Sequence, residues 1–227
     1  MNEAYCMDCM EYMKTLPDNA FELAVVDPPY GIGDKFKGGK TGKMNFNEIV
    51  DKRWDKAPVD DYFKELFRIS KKSIIWGGNY FPLPPSRAFI CWDKGVSEDF
   101  SLAMCELAWC SFDGLAKIVR IPVPHDGNKI HPTQKPVALY RWIYKNYAKP
   151  GMKILDTHLG SGSSRIAAWD AGLDLVGTEI DETYFNLQEE RFKKHIAQGT
   201  IFDTEMDAQA EQISLLQCGI ESQKPVL

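Results

Sequence analysis

The fold is decided by residues 153–164, which read Lys-Ile-Leu-Asp-Thr-His-Leu-Gly-Ser-Gly-Ser-Ser. The run from Lys153 to Asp156 predicts a short buried strand, and a helical pattern begins near Arg165. Gly160 and Gly162 lie in the turn between them, where the absence of side chains lets the backbone approach a ligand closely. A strand, a glycine turn and a helix in this order are typical of a nucleotide-binding βαβ unit.

The next apolar run, Leu175-Val176-Gly177-Thr178, ends at Glu179, seventeen residues after Gly162. A carboxylate at the tip of this second strand is placed to hold the hydroxyl groups of a ribose. Arg165 stands where the third glycine of a dinucleotide-binding fingerprint would fall, which disfavours a NAD-dependent oxidoreductase. The pattern therefore predicts an adenosine-containing ligand.

A second informative stretch, Asp27-Pro28-Pro29-Tyr30, follows the apolar run Leu23-Ala24-Val25-Val26. Two prolines fix φ and remove two backbone donors, so the turn is stiff. The Asp27 carboxylate and the Pro28 carbonyl can accept hydrogen bonds from an aromatic amine, favouring a pyramidal nitrogen with an available lone pair. Tyr30 supplies a ring on which an extruded base can stack. The alternative is a plain strand followed by a proline turn.

Together these stretches resemble the DNA amino-methyltransferases, which transfer a methyl group from S-adenosylmethionine to adenine N6 or cytosine N4. The motif order is similar to that of the beta subgroup, since His131-Pro132-Thr133-Gln134-Lys135-Pro136 precedes the glycine loop. The resemblance covers about residues 3–195. It implies a Rossmann-like α/β methyltransferase fold with a seven-stranded, mostly parallel sheet.

The resemblance also implies the site residues. The catalytic residues would be Asp27, Pro28, Pro29 and Tyr30. The cofactor-binding residues would be Asp8, Asp27, His131, Thr133, Lys135, Asp156, Thr157, His158, Gly160, Ser161, Gly162, Glu179 and Ile180. Asp8 is also expected to cap a helix, because Met10, Met13 and Leu16 follow it at helical spacing.

One departure from the family concerns Thr157 and His158, which stand where the family usually has proline and phenylalanine. An aromatic face is retained, but the ring is now titratable. We expect cofactor affinity to fall as His158 protonates between about pH 8 and 5.5, because the methyl donor is itself a cation.

Apolar periodicity predicts the order of strands and helices. The expected strands are 3–7, 22–26, 73–76, 88–92, 106–112, 153–156 and 174–179. The expected helices are 9–16, 59–71, 136–148, 163–172 and 182–195. Strands that alternate with helices favour a parallel sheet covered on both faces. Strands 88–92 and 106–112 lack a helix between them, which predicts an antiparallel hairpin at one sheet edge.

Length and composition favour one domain. With 227 residues, 44% of them hydrophobic, we expect a methyltransferase domain at 1–198 and an acidic tail at 199–227. No apolar run of about 18 residues and no signal pattern occur, so we expect no membrane association and a cytoplasmic location in a prokaryotic or phage-infected cell. Cys6 and Cys9 have no second ligand pair, so no metal is expected.

The net charge of −5 hides a segregated distribution. Residues 114–149 carry seven basic side chains and one acidic side chain. This segment predicts a face that binds double-stranded DNA, although the lysines can also serve solubility alone.

A lysine- and glycine-rich stretch lies at 31–55, directly after the Asp-Pro-Pro-Tyr turn. It predicts a mobile loop that closes over DNA, and the alternative is a plain flexible linker. Its candidate DNA contacts are Lys35, Phe36, Lys37, Lys40 and Lys43.

Target recognition is assigned to about 113–130, where Arg120, Asn128 and Lys129 can read base edges. Asn79 or Tyr80, after one predicted strand, and the segment Trp92-Asp93-Lys94, at the end of the next, are candidates for lining the target pocket, and the alternative for the first pair is a plain glycine turn. Because 113–130 is short, we expect a short target site or a homodimer that shares recognition.

Asp-Pro-Pro-Tyr is more often associated with adenine in the family. Alternatives are an N4-cytosine methyltransferase, a silent DNA- or nucleotide-binding subunit and a protein glutamine methyltransferase.

Overall fold

The computed structural model describes residues 1–32, 57–98, 103–123 and 129–198. The chain divides into two compact units, Met1–Glu189 and Glu190–Leu227. In the second unit, the described residues 190–198 are helical. The predicted tail at 199–227 and almost all of the predicted loop at 31–55 lie outside the described residues.

Eight strands of the first unit form one sheet in the order β1-β8-β7-β2-β3-β5-β4-β6. In chain order they are β1 Asn2–Cys6, β2 Leu23–Val26, β3 Ser73–Trp76, β4 Phe89–Asp93, β5 Cys105–Cys110, β6 Lys117–Arg120, β7 Lys153–Asp156 and β8 Asp174–Glu179. The helices are α1 Cys9–Lys14, α2 Asp60–Ile69, α3 Val137–Tyr147 and α4 Ser163–Asp170, followed by a helix in 182–189. No helix in the described part of the chain is long and apolar enough to cross a membrane.

Helices cover both faces of the sheet. Successive residues of a strand point to opposite faces, so the apolar central strands present side chains for helix packing on each face. Val25 and Ile154 belong to one buried cluster, which contains residues of α3 and α4. Val26 and Leu155, one position along the same strands, belong to a second cluster with residues of α1 and α2. The central strands are buried on both faces, which accounts for their uninterrupted apolar sequences.

The α/β class and the largely parallel sheet are confirmed, and each of the seven expected strands is present within two residues at either end. The count of seven is wrong because β6 adds an eighth strand. Only Val119 of β6 is buried, so the strand lacks the apolar run that marks the others. The β6 strand is defined by its parallel backbone pairing with β4, not by apolar side chains.

The expected antiparallel pairing of β4 with β5 is confirmed, but its expected position is not. β5 also pairs antiparallel with β3, and β6 covers the outer side of β4. The hairpin therefore lies inside the sheet, and β6 forms the edge.

Arg165 has a structural role that explains why it replaces a glycine. Its guanidinium donates from Nε to Asn2 Oδ1 at 2.6 Å and from Nη1 to Gln188 Oε1 at 3.0 Å, and it forms an ion pair with Glu189. The side chain is 6% exposed. One buried cation thus links β1, α4 and the helix at 182–189.

We predict that Arg165→Leu lowers the free energy of unfolding by about 2 kcal/mol or more, because it leaves the largely buried Glu189 carboxylate without this cation. The measurement is urea unfolding at pH 7. The matched control is Arg87→Leu, which removes an ion pair with Asp113 whose arginine is 71% exposed. The control should change stability by about 0.5 kcal/mol at most, and equal effects of the two substitutions would refute the assignment.

Candidate active site

The candidate site lies at the carboxyl edge of the parallel strands. β7 pairs in parallel with both β2 and β8, so the residues that end or follow these three strands are neighbours. They are Asp27 after β2, Asp156 at the end of β7 and Glu179 at the end of β8. The pairing brings the predicted catalytic turn beside the predicted cofactor loop, at the edge where ligands bind in open α/β sheets.

Glu179 binds the glycine loop directly. Its Oε2 accepts a hydrogen bond from the Gly160 N–H at 2.8 Å, and its Oε1 accepts one from the Asp181 N–H at 3.0 Å. Each carboxylate oxygen has two lone-pair positions, so each retains capacity for a ribose hydroxyl. Burial raises the pKa of Glu179.

The two loop glycines adopt positive φ, +49° for Gly160 and +70° for Gly162. A Cβ on Gly162 would lie 3.1 Å from the Gln188 side chain. A larger residue would therefore be strained in its backbone and crowded against its neighbour. The loop therefore requires glycine at position 162 for its own conformation and for packing against Gln188.

Asp156 holds the two ends of this loop together. Its Oδ1 accepts from the His158 N–H at 3.1 Å, and its Oδ2 accepts from the Ser164 hydroxyl. Burial raises the pKa of Asp156 to about 7. Ser161, also buried, hydrogen-bonds through its hydroxyl to Ser163 at 3.1 Å.

Thr157 and His158 belong to a hydrogen-bonded chain that starts at α2. The Tyr62 hydroxyl lies 2.6 Å from Thr157 Oγ1, which lies 2.9 Å from His158 Nδ1. Burial lowers the pKa of His158 to about 4. This pKa lies below pH 5.5, which argues against the expected protonation of His158 between pH 8 and 5.5.

The remaining predicted cofactor residues surround the loop. The Asp8 carboxylate accepts from the Met10 and Glu11 N–H groups at 2.7 and 3.2 Å, so Asp8 is the N-cap of α1. The His131 ring lies beside Gly160 and packs edge-on against Tyr184, with ring centroids 4.3 Å apart. His131 Nδ1 also lies 3.1 Å from Thr133 Oγ1. Burial lowers the pKa of His131 to about 4. Ile180 is exposed.

The Asp-Pro-Pro-Tyr turn is fixed by its own tyrosine. The Tyr30 hydroxyl donates to Asp27 Oδ1 at 2.7 Å, and the Tyr30 ring stacks on Tyr80 with centroids 5.1 Å apart. Gly77 makes this packing possible, since a Cβ there would lie 2.3 Å from the Tyr30 ring. Tyr80 is half exposed and provides an accessible aromatic surface beside Asp27.

Lys135 lies against Asp27. Its ammonium forms an ion pair with Asp27 and a second with Glu106 at 3.2 Å, while Lys94 pairs with the other oxygen of Glu106 at 2.6 Å. Burial pushes the pKa of Glu106 upward, but the ammonium groups of Lys135 and Lys94 outweigh it and hold the pKa at about 2. Burial raises the pKa of Asp27 despite the contact with Lys135.

Sequence reasoning missed Glu106. Asp27, Asp156 and Glu179 end or follow their strands, whereas Glu106 is the second residue of β5. Because β5 runs antiparallel to β3, the start of β5 lies at the carboxyl edge of the other strands. The predicted hairpin could have indicated this position of Glu106, since an antiparallel hairpin places the start of β5 beside the end of β4.

The predicted DNA-binding residues have different outcomes. Lys35, Phe36, Lys37, Lys40 and Lys43 lie outside the described residues, as does Asn128. Asn79 is exposed in the 3-10 turn Gly78–Tyr80, directly after β3. Arg120 ends β6 and donates from Nε to Asp93 Oδ2 at 2.6 Å, and Lys129 is partly buried. Part of the predicted recognition segment is therefore an integral strand of the sheet.

Comparison with known proteins shows the family. A family model described as an N6/N4 DNA methylase matches residues 75–190, just over half of the chain. The chain belongs to this family of DNA methylases, as the sequence resemblance predicted. The match includes the segment at 131–136, the glycine loop and Glu179, and it begins after the Asp-Pro-Pro-Tyr turn.

Individual relatives extend the similarity. The chain is 26% identical over 205 residues to the candidate methylase YubD of Escherichia coli strain K12, covering 81% of this chain and 87% of the relative. It is 25% identical over 244 residues to the type II methyltransferase M.HinfI of Haemophilus influenzae, covering 82% and 67%. Both alignments span most of this chain.

Two solved structures share the fold. TTHA0409 of Thermus thermophilus, a candidate DNA modification methylase complexed with S-adenosyl-L-methionine, has a TM-score of 0.58 at 18% identity and covers 86% of this chain and 94% of its own. The cytosine-N4-specific PvuII DNA methyltransferase has a TM-score of 0.52 at 13% identity, covering 86% and 91%.

The low pKa of His158 gives a stability prediction. The unfolded chain protonates this histidine below about pH 6.5, whereas the folded protein does so only below about pH 4, so protonation favours the unfolded state in between. Between pH 7 and pH 5, His158 should cost the wild type about 2 kcal/mol in free energy of unfolding, and His158→Phe should avoid this loss. The measurement is urea unfolding at both pH values. Equal losses in the variant and the wild type would contradict a buried neutral imidazole.

Proposed function

We propose that this protein is a site-specific DNA methyltransferase that uses S-adenosylmethionine to methylate the N6 amine of a flipped-out adenine. The observation that carries the proposal is the position of Asp27-Pro28-Pro29-Tyr30 at the end of β2, beside the glycine loop that follows β7. A group that can orient an aromatic amine thus lies next to a loop suited to an adenosine-containing methyl donor.

The residues around the glycine loop fit this cofactor. Glu179 has lone pairs left for the ribose hydroxyls, and the positive φ of Gly160 and Gly162 forms the tight turn that lies beside it. His131 and His158 would flank the loop as neutral rings, because the pKa of each is lowered to about 4 by burial. Neutral rings avoid repulsion with a cationic cofactor. When bound, S-adenosylmethionine supplies an electrophilic methyl group.

The catalytic turn would act mainly by orienting the amine. Asp27 and the Pro28 carbonyl would accept its two hydrogens, which directs the nitrogen lone pair toward the methyl donor. Tyr30 already hydrogen-bonds Asp27 and stacks on Tyr80, so the aromatic surface offered to an extruded base is the half-exposed Tyr80 together with the rim of Tyr30. Stacking on such rings compensates for the loss of base stacking in the duplex.

Double-stranded DNA is the proposed partner, but much of the basic charge in 114–149 has local contacts. Arg120 pairs with Asp93, Arg141 pairs with Asp170, and Lys117 donates to Asn146. A DNA phosphate would have to compete with or add to these contacts. We therefore assign DNA contact first to the sheet edge that carries Asp27 and Asn79, and Arg120 remains a candidate contact that would have to leave Asp93.

The test is direct identification of the methylated nucleoside. Purified protein is incubated with unmethylated DNA and radiolabelled S-adenosylmethionine, and the DNA is hydrolysed to nucleosides. We expect label in N6-methyladenine. Label in N4-methylcytosine would select the cytosine enzyme, and an absence of label with normal cofactor binding would indicate a silent subunit.

We predict that Asp27→Ala lowers the rate of methyl transfer by about a thousandfold or more, because the amine loses its main oriented acceptor. Affinity for S-adenosylmethionine, measured by calorimetry, should fall much less than in Asp156→Ala, which disrupts the loop itself. The matched control is Asp61→Ala, an exposed carboxylate on α2, which should leave the rate unchanged. Activity of Asp27→Ala near that of the control would exclude the catalytic assignment.

A further inference from the structure

Lys135 is committed to the catalytic turn. A lysine ammonium has three donors, and three acceptors surround this one: Asp27 Oδ2, Glu106 Oε2 at 3.2 Å and the Tyr30 hydroxyl at 3.3 Å. The side chain is 3% exposed. With these acceptors in place, no donor of Lys135 is left for a cofactor at the neighbouring loop.

Aromatic rings enclose the same ammonium. Its nitrogen lies 5.2 Å from the centroid of Trp76 and 5.7 Å from that of Tyr30. Trp76 is fully buried at the end of β3. Cation–π attraction adds to the ion pairs, and the rings exclude the water that would otherwise weaken them.

Glu106 and Lys94 complete a chain of alternating charges. Asp27, Lys135, Glu106 and Lys94 contact one another in that order, and the net charge of the four is zero. A buried carboxylate such as Asp27 tends to become neutral unless a cation lies beside it. The second carboxylate, Glu106, anchors that cation from the opposite side, while Lys94 occupies the remaining oxygen of Glu106.

We propose that Lys135 and Glu106 are positioning residues: the Lys135 ammonium keeps the Asp27 carboxylate ionised and fixed in orientation for the incoming amine, and Glu106 holds that ammonium in place from the opposite side, although its own like charge opposes ionisation of Asp27. The role in methyl transfer rests on the proposed function, whereas the ion pair and its effect on Asp27 do not. Glu106 belongs to none of the motifs that identified the site, and Lys94 is a sequence candidate only for lining the target pocket.

Lys135 and Glu106 should act on Asp27 in opposite directions. The cation of Lys135 lowers the pKa of Asp27, and the like charge of Glu106 raises it. The other titratable groups that face Asp27 or act on it by charge are Tyr30 of the same turn, Tyr62 of α2, Tyr140 of α3 and Asp156 of β7. The tyrosines remain neutral near pH 7, because burial raises the pKa of each well above its usual value.

The test is a carboxyl-carbon NMR titration of protein labelled with 13C-aspartate, with the Asp27 signal assigned by its loss in Asp27→Asn. Lys135→Met should raise the Asp27 pKa by about one to three units. Glu106→Gln should lower it and serves as a second, near-isosteric variant if Lys135→Met does not fold. The control Lys64→Met, an exposed lysine on α2 paired with Asp61, should leave it unchanged. Lack of a shift in Glu106→Gln, or shifts of the two variants in the same direction, would overturn the proposal.

Kinetics separate this role from a cofactor contact. In Lys135→Met the acid limb of the kcat profile should move to higher pH with the Asp27 titration, while affinity for S-adenosylmethionine stays within about twofold of wild type. Loss of that affinity with an unchanged Asp27 titration would make Lys135 a cofactor ligand and refute the proposal. If wild-type protein methylates no DNA, the proposed function fails, while the NMR titration still decides whether the ion pair controls Asp27.

Discussion

The site depends on the parallel pairing of β7 with β2 on one side and β8 on the other. This pairing fixes the distance between the Asp27 turn and the glycine loop, which are more than 120 residues apart in the chain. It also places Glu179 where its carboxylate binds the Gly160 backbone. A parallel sheet buried on both faces tolerates little displacement, so the relative position of the two loops is set by the core and not by the loops themselves.

Buried charge shapes the rest of the site. Asp27, Asp156, Glu106 and Glu179 lie near one edge, and each is held by donors: ammonium groups for Asp27 and Glu106, a hydroxyl and backbone N–H groups for Asp156 and Glu179. Carboxylates without such partners would be too costly to bury. The two sets of partners differ in kind, since lysine ammonium groups hold Asp27 and Glu106, whereas backbone N–H groups and a serine hydroxyl hold Asp156 and Glu179 beside the glycine loop.

The Thr157-His158 pair shows how a departure from the family pattern is accommodated. A phenylalanine at that place needs only apolar neighbours, whereas an imidazole needs a hydrogen-bond partner when buried. Thr157 provides it, and Tyr62 in turn partners Thr157. The hydrogen bond orients the ring, and burial favours its neutral form, so the substitution preserves an uncharged aromatic surface beside the glycine loop.

The sequence by itself determined the α/β class, the seven core strands, the helices and the family, because apolar periodicity and glycine and proline positions are local properties. It also placed Asp27, Asp156 and Glu179 at one edge, since parallel strands share a direction. Only the tertiary structure decided that β6 joins the sheet, because its pairing with β4 is a backbone contact with little apolar signature. It alone brought Glu106 to Lys135, and Lys135 to Asp27. The predicted hairpin gives the direction of β5 relative to β4, but the pairing of β5 with β3 and an ion pair across 108 residues follow from packing and charge burial that no local pattern encodes.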